Sequence, residues 1–252
     1  MAALAPGQAA VAAVHLIGEV DWMSFQHSEA IWRDFPELVA GAFYAEGPVK
    51  QTSTADRIAA HTAVALSRLG SESESALPEI QAWRRAFSRM GLKPTQYRCA
   101  SEALLRRLRR DGDLPSVNPI IDVCNAVSVA YAVPIAVFDL EQVAQRIEVR
   151  YATGDETYLS FGGDTERPNP GEVIFADAEG RAHARRWTNR QSALSAVSHG
   201  TTAVLVVSEA MHDRGAEDVP LLLTAVADEL QALGLRPSAS AVLSPAASRY
   251  EY

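Results

Sequence analysis

Near residue 132 the hydrophobic period of this chain changes. Before that point apolar residues recur at helical spacing; beyond it they alternate at the spacing of strands. The helical block reads as a helix over 52–69 capped by Thr52 or Ser53, a turn at SESES, and a helix opened by Pro78 and stopped by Gly91. A helix over 97–110 follows, stopped by Asp111-Gly112, and then another over 118–131. The runs IAVFDL, IEVRYA, TYLSF, EVIFAD, AHARRW and AVLVVSEA then read as short strands. DVPLLLTAVADELQAL closes the pattern as an amphipathic helix ended by Gly234. Two earlier runs, 10–18 and 38–45, read as buried strands, and the stretch between them as a short helix or loop ending at Pro36. Helices in one block and strands in another predict an α+β fold, a mixed β-sheet with flanking helices, rather than regular βαβ winding. No internal repeat is present. The expected division is a frayed leader over 1–9, one domain over 10–234, and a disordered Ser/Ala/Pro-rich tail over 235–252.

Charge and cysteine usage exclude several functions. The net charge of −8 argues against general attraction to DNA or a membrane surface. No stretch is long and apolar enough to span a bilayer, and the Ala-rich N-terminus lacks a positive n-region, so the expected location is cytoplasmic. Cys99 and Cys124 have neither CxxC nor zinc-type spacing, and the six His form no HExxH. No metal and no cofactor are expected. One local exception to the acidity stands out: from Arg84 to Arg110 there are nine Arg/Lys and one Glu, and Arg181, Arg185, Arg186 and Arg190 form a second cluster. Either these are solvated helix faces or they are a phosphate-binding patch on an acidic protein.

The segment NPIIDVCNAVSVAY, residues 118–131, is apolar except for two Asn, an Asp and a Ser. Asn118 suits an N-cap and Pro119 the first helical position. Asn118, Asp122 and Asn125 are then spaced by four and three, on one helical face. A polar stripe on a core-type helix is cheaper facing a cleft than buried against the core.

Six pieces in order carry a resemblance: AWRRAF, KPTQYRCASEALLRR, LPSVNPIIDVCNAVSVAYAVPIAVFDL, IEVRYATGDE, GEVIFAD and RRWTNRQS. Together they resemble the free-standing B3/4-domain proteins, relatives of the editing domain in the β subunit of phenylalanyl-tRNA synthetase. The likeness runs from about Phe35 to Leu233 and is strongest over Trp83–Ser192. It implies a single B3/4-type domain that binds the 3′ end of a charged tRNA and hydrolyses a wrongly attached amino acid. Asn118, Asp122 and Asn125 match the family's N…D..N helix. Arg98 and Glu102 match its YR…EALLRR helix, Glu172 and Asp177 its GE…D strand. Arg186, Trp187, Asn189 and Arg190 match the RxWNxRDS-like segment. Three positions depart: Ala136 stands where the synthetase has His, Gln191 where Asp is usual, and Ala100 where the YRSS pattern has Ser.

The resemblance gives these residues roles. Aminoacyl ester hydrolysis needs a positioned water, donors for the oxyanion and an anchor for the α-amine, with no covalent nucleophile. Asp122 is the candidate anchor, and Asn118 and Asn125 candidate holders of a carbonyl, ribose hydroxyl or water. Glu172 is the candidate to orient or deprotonate water. Arg98, Glu102, Asp177, Trp187 and Asn189 are candidates for substrate binding, and Arg186, Arg190, Arg106 and Arg107 for tRNA. Each also has a plain structural use: a cap, a dipole partner, an i,i+4 ion pair for Arg98 and Glu102, a turn for Glu172, core packing for Trp187. Three functions are consistent with the residues: a trans-acting deacylase, a repurposed enzyme acting on an amino acid or aminoacyl-tRNA, and a non-catalytic binder of amino acids or tRNA.

Overall fold

The computed structural model describes residues 23–252. The strand expected at 10–18 and the leader lie outside the described residues. The described residues open with β1 (Ser24–His27), α1 (Glu29–Asp34) and β2 (Val39–Glu46). Four helices follow: α2 (Ala55–Leu69), α3 (Pro78–Arg89), α4 (Ala100–Asp111) and α5 (Pro119–Tyr131). Then come β3 (Ile135–Asp139), β4 (Arg146–Tyr151), β5 (Tyr158–Leu159), β6 (Thr165–Glu166), β7 (Val173–Asp177), β8 (Ala182–Arg185), β9 (Arg190–Gln191) and β10 (Ala203–Ala210). The chain ends with α6 (Gly215–Ala232), β11 (Arg236–Pro237), β12 (Ala241–Leu243) and β13 (Arg249–Glu251). The fold is α+β.

Two sheets organise it. The first has the order β13-β1-β4-β7-β8-β9 and is mixed, because β1 and β4 run parallel. The second has the order β11-β2-β10-β3, with β12 also on β2, and is antiparallel. Side-chain alternation decides what each face meets. On β10, Leu205 and Val207 join the core shared with Phe25, Val149 and Phe175 of the first sheet. Val204 and Val206 point the other way, into a second core with Val123, Val127, Leu222 and Val226 of α5 and α6. The second sheet is therefore the middle layer, buried on both faces.

Two expectations change. The stretch after residue 20 contains β1, which pairs in parallel with β4 and sends Phe25 into the core. Four residues carry too little period to be read as a strand, and the partner strand lies about 120 residues away in sequence, Ser24 facing Arg146. The tail expected to be disordered is instead built into both sheets. β11 and β12 complete the outer edge of β2, and β13 completes that of β1. Exposed strand edges carry unpaired N–H and C=O groups that favour such pairing. Leu243 and Tyr250 anchor the segment by burial, and the Tyr250 hydroxyl accepts from Tyr44 N at 3.2 Å.

Gly41 of β2 sets how closely α6 approaches the middle sheet. A Cβ there would lie 2.5 Å from Leu223 Cδ1 and 2.7 Å from Val219 Cγ1, both in the buried core. Gly41→Val is expected to cost about 1–3 kcal/mol by overpacking. Urea denaturation checks this, and an unchanged midpoint would sink the close-approach role.

Candidate functional site

Between the two sheets lies a small cavity of about 70 Å³. Its walls are mainly apolar: Ile135 and Ala136 of β3, Phe175 of β7, Ala184 of β8 and Val207 of β10. A polar stretch, Thr188, Asn189, Arg190 and Gln191, comes from the turn before β9 and from β9 itself. That turn is forced open by Arg186 and Trp187, whose φ values of 49° and 56° are left-handed. Consecutive non-glycine residues in this region carry strain and are found mostly where the surroundings over-determine them. Here Trp187 N donates to Val173 O, Asn189 Nδ2 to Arg98 O, and Ala100 N to Thr188 O.

A carboxylate sits in this apolar wall. Glu209 shares the face of Leu205 and Val207 on β10 and so points at the first sheet; it is 2% exposed. Its Oε1 accepts from Trp187 Nε1 at 2.9 Å and meets His27 Nε2 at 2.6 Å. Trp187 is fully buried, edge-on to Phe35 and Trp83. It lines the cavity but is no exposed platform for stacking a base.

The Asn118/Asp122/Asn125 stripe is elsewhere. None of the three lines this cavity. Asn118 Oδ1 caps α5 by accepting from Ile120 N at 3.0 Å. The Asp122 carboxylate accepts from Val117 N at 2.7 Å, Asn118 N at 3.2 Å and Ser116 Oγ at 2.9 Å. Its acceptor capacity satisfies the backbone entering the helix, a demand every helix start makes. Asn125 is half-buried farther along α5.

Glu172 is likewise occupied. Its oxygens accept from Arg185 Nε at 2.7 Å and Nη2 at 2.9 Å, and from Arg186 N at 3.1 Å. Burial opposes its charge, but the bidentate Arg185 bond and charge hold the carboxyl below its ordinary value of 4.5. Asp177 is also buried; bonds from His183 and Arg181 outweigh that and hold it well below the ordinary value. It braces the β7–β8 turn by accepting from Glu179 N and Arg181 N. Glu102, fully buried, pairs with Arg84 at 2.5 Å and with Arg98, four residues before it, at 3.5 Å. Neither thiol is a nucleophile, since burial pushes Cys99 and Cys124 up to about 12.

The basic run is largely neutralised by the chain itself. Arg89 pairs with Glu37, Arg109 with Glu74, and both Arg107 and Arg110 with Asp111. Among the described residues, Arg85, Lys93 and Arg106 have no ion pair in this run. Arg186 lies over the Tyr97 ring, and Arg190 at the cavity rim pairs with Glu166 at 3.1 Å.

The structure brings together residues that sequence reasoning did not. Ala100, Ala136 and Gln191, the three departures, all line the one cavity. Glu209, His27 and Thr188 were not singled out. The available signal was the acid in AVLVVSEA, at the same alternation as Leu205 and Val207 in a run already read as a strand. Separately, Glu79, His212 and Asp218 each offer a possible metal-ligand atom within 4.8 Å of the others. Arg68 on Glu79 at 2.6 Å, His212 on Asp218 at 2.9 Å and Arg214 on Asp218 at 3.2 Å account for most of that cluster without an ion. No helix among the described residues is long and apolar enough to cross a membrane.

Residues 82–218, more than half the chain, match the model of the B3/4 domain. The phenylalanine–tRNA ligase β subunit of Pasteurella multocida is 32% identical over 77 residues, 31% of this chain and 10% of that protein. That of Coxiella burnetii is 42% identical over 53 residues, 21% of this chain and 7% of that one. The chain thus spans about a tenth of the length of the curated relatives it matches. A crystal structure of an N-terminal fragment of the phenylalanyl-tRNA synthetase β subunit from Pyrococcus horikoshii aligns with 85% of this chain and 50% of that one, at 11% identity and a TM-score of 0.48.

Glu172→Gln is expected to cost about 2–4 kcal/mol at pH 7, because it leaves Arg185 facing a neutral amide in a buried pair. A carboxyl held below 4.5 stabilises the fold above that pH and loses this contribution as pH falls toward its folded value. Wild type should therefore lose stability on acidification in a step that Glu172→Gln lacks. Denaturant melts at pH 7 and pH 3 check both; a wild-type-like melt at pH 7 would return Glu172 to the list of free carboxylates.

Proposed function

The chain belongs to the B3/4-domain family, and from that membership we propose that it is a free-standing aminoacyl-tRNA hydrolase. It takes the aminoacyl end of a charged tRNA into the cavity between the two sheets. The carrying observation is the convergence of Ala100, Ala136 and Gln191 on that one cavity. Scattered departures from a family pattern would read as drift. Three in the lining of one cavity, contributed by α4, β3 and β9, read as a pocket reshaped for a different guest. Loss of the His leaves an Ala that opens space beside Val207, its partner across the β3–β10 ladder.

The reaction asks little of the protein. Water adds to the ester carbonyl, the carbon–oxygen bond to the ribose breaks, and the ribose oxygen takes the proton. The polar rim of Thr188, Asn189 and Gln191 orients the ester and its water at the mouth, and the apolar wall excludes other water. Arg186, next to Trp187 of the lining, and Arg106 on the exposed face of α4 are the cations without an ion pair among the described residues that could meet the terminal nucleotides. Such a protein works in the cytoplasm, where charged tRNA is found. A second reading is an enzyme repurposed for an amino acid or its ester without tRNA. The neutralised basic run favours it, since few free cations are left to hold a polyanion.

A panel of correctly and wrongly charged tRNAs tests the proposal. Release of one mischarged pair is expected, and Ala136→Trp, which fills the cavity, should reduce it about 100-fold or more, as misplacement of a reacting group does. Asp122→Ala should instead lower thermal stability and leave most of the release intact. No release from any pair would remove the deacylase; release insensitive to Ala136→Trp would move the site elsewhere.

A further inference from the structure

Glu79 stands in the first turn of α3, His212 in the turn after β10, and Asp218 in the first turn of α6. Glu79 is far from the other two in sequence, yet each offers one ligand-type atom and these lie within 4.8 Å of one another. The residues are 7%, 7% and 8% exposed. Acids buried this deeply are paired or hold a metal. None of the three lines the cavity between the sheets.

Their pairings leave a specific remainder. Arg68 Nη2 donates to Glu79 Oε1 at 2.6 Å, and its Nη1 to Ala130 O, at the end of α5, at 2.8 Å. Glu79 Oε2 is buried and has no partner among the described residues. Arg214 meets Asp218 Oδ1 at 3.2 Å, which leaves Oδ2 to His212 Nε2 at 2.9 Å. Each acid is thus fixed by an arginine on one oxygen, and its other oxygen is bound to no arginine. Outer partners of this kind orient the carboxylates that ligate metals. Arg214 brings little charge to the cluster itself, because it is 69% exposed and is shared with Glu217 at 3.3 Å.

The donor set selects the class of ion. One imidazole nitrogen and two carboxylate oxygens suit zinc, whereas magnesium and calcium take shells of oxygen with six or more ligands. Three protein ligands and a water make a tetrahedral zinc centre. Bonds of about 2.0–2.2 Å put ligand atoms about 3.3–3.6 Å apart in a tetrahedron, so His212 and Asp218 open by about half an ångström and the widest separation closes by at most about 1.5 Å. An ion between His212 and Asp218 takes the place of the Nε2 proton, which tautomerism moves to Nδ1.

We propose that Glu79, His212 and Asp218 bind one zinc-class divalent ion, with Glu79 Oε2 as a ligand. The ion fastens the start of α3 to the start of α6 and so joins the helical block to the helix that follows the last long strand. The site depends neither on the cavity nor on any catalysis.

The full chain, stripped with EDTA and dialysed, is titrated with zinc chloride by calorimetry, and with cobalt(II) chloride for its visible spectrum. One Zn²⁺ per chain is expected, and a higher thermal midpoint with it, because an ion that binds the folded state alone stabilises that state. Co²⁺ should give the absorption of a tetrahedral site, and magnesium in about 100-fold excess should not displace Zn²⁺. Glu79→Gln keeps an amide oxygen for Arg68 but removes the charged ligand. It should weaken Zn²⁺ by about 10- to 100-fold or more, at least the cost of losing an outer partner of a ligand. His212→Gln should weaken Zn²⁺ as much and abolish the tetrahedral Co²⁺ spectrum, while His199→Ala, at an exposed histidine, should bind like wild type. The stoichiometry, the Co²⁺ spectrum and the Zn²⁺ over Mg²⁺ preference are read on wild type and hold even if a variant does not fold. Failure of wild type to take up one Zn²⁺ per chain would overturn the assignment. So would displacement by magnesium, or binding at wild-type strength by both Glu79→Gln and His212→Gln.

Discussion

A charge buried between two sheets ties this molecule together. Glu209 stands on the middle sheet, and both of its donors come from the other: His27 from β1 and Trp187 from the turn after β8. Removing a carboxylate from water costs several kcal/mol unless strong donors replace the solvent. The two bonds are therefore a condition of packing the sheets face to face at this end. Trp187 extends the connection, because Phe35 and Trp83 pack edge-on against its ring at 4.8 and 5.3 Å. The end of α1, helix α3, both sheets and the strained turn are thus referred to one side chain. The cavity opens beside this point, where the small side chains Ala100, Ala136 and Ala184 leave the sheets unfilled.

Most other polar residues in the matched region serve the backbone next to them. Asp122 collects the N–H groups that enter α5, Asp177 those of the β7–β8 turn, and Glu156 those of Thr153 and Gly154. Each carboxylate sits where a reversal of the chain would otherwise strand donors away from water. Glu172 adds Arg185, which also reaches Glu166 on the β5–β6 hairpin and holds that hairpin against the first sheet. Among the acids that resemble a reaction site by their spacing, Asp122, Glu172 and Asp177 have donors on both oxygens. Glu102 and Glu209 each keep one oxygen without a partner among the described residues, and of the two only Glu209 lines the cavity.

The same economy governs charge at the surface. Arg84, Arg89, Arg109 and Arg110 look like a patch when read along the chain, but Glu102, Glu37, Glu74 and Asp111 meet them in space. The exposed pairs among them, Arg89–Glu37 and Arg110–Asp111, add little stability, yet all four cancel the field a polyanion would follow. At the cavity the same holds for Arg190, which Glu166 meets, whereas Arg186 lies over the Tyr97 ring with no ion pair among the described residues.

The sequence by itself determined the helical block, the order of the longer strands between 135 and 210, the start of α5 at Asn118-Pro119 and the family. These are local facts, written in a period of 3.6 or two, in caps and in motif order. It also contained the three departures, though as isolated positions. Tertiary structure decided the rest. β1 and the C-terminal strands exist because a distant edge pairs them, and no window of a few residues records a partner 120 positions away. Asp122 and Glu209 are both acids in apolar runs, and which one is free depends on where the donors lie. Those of Asp122 are its own neighbours in sequence; those of Glu209 arrive from residues 27 and 187 and reach only one of its oxygens. A side chain's spare hydrogen-bonding capacity is a property of its surroundings in space, and only the fold supplies them.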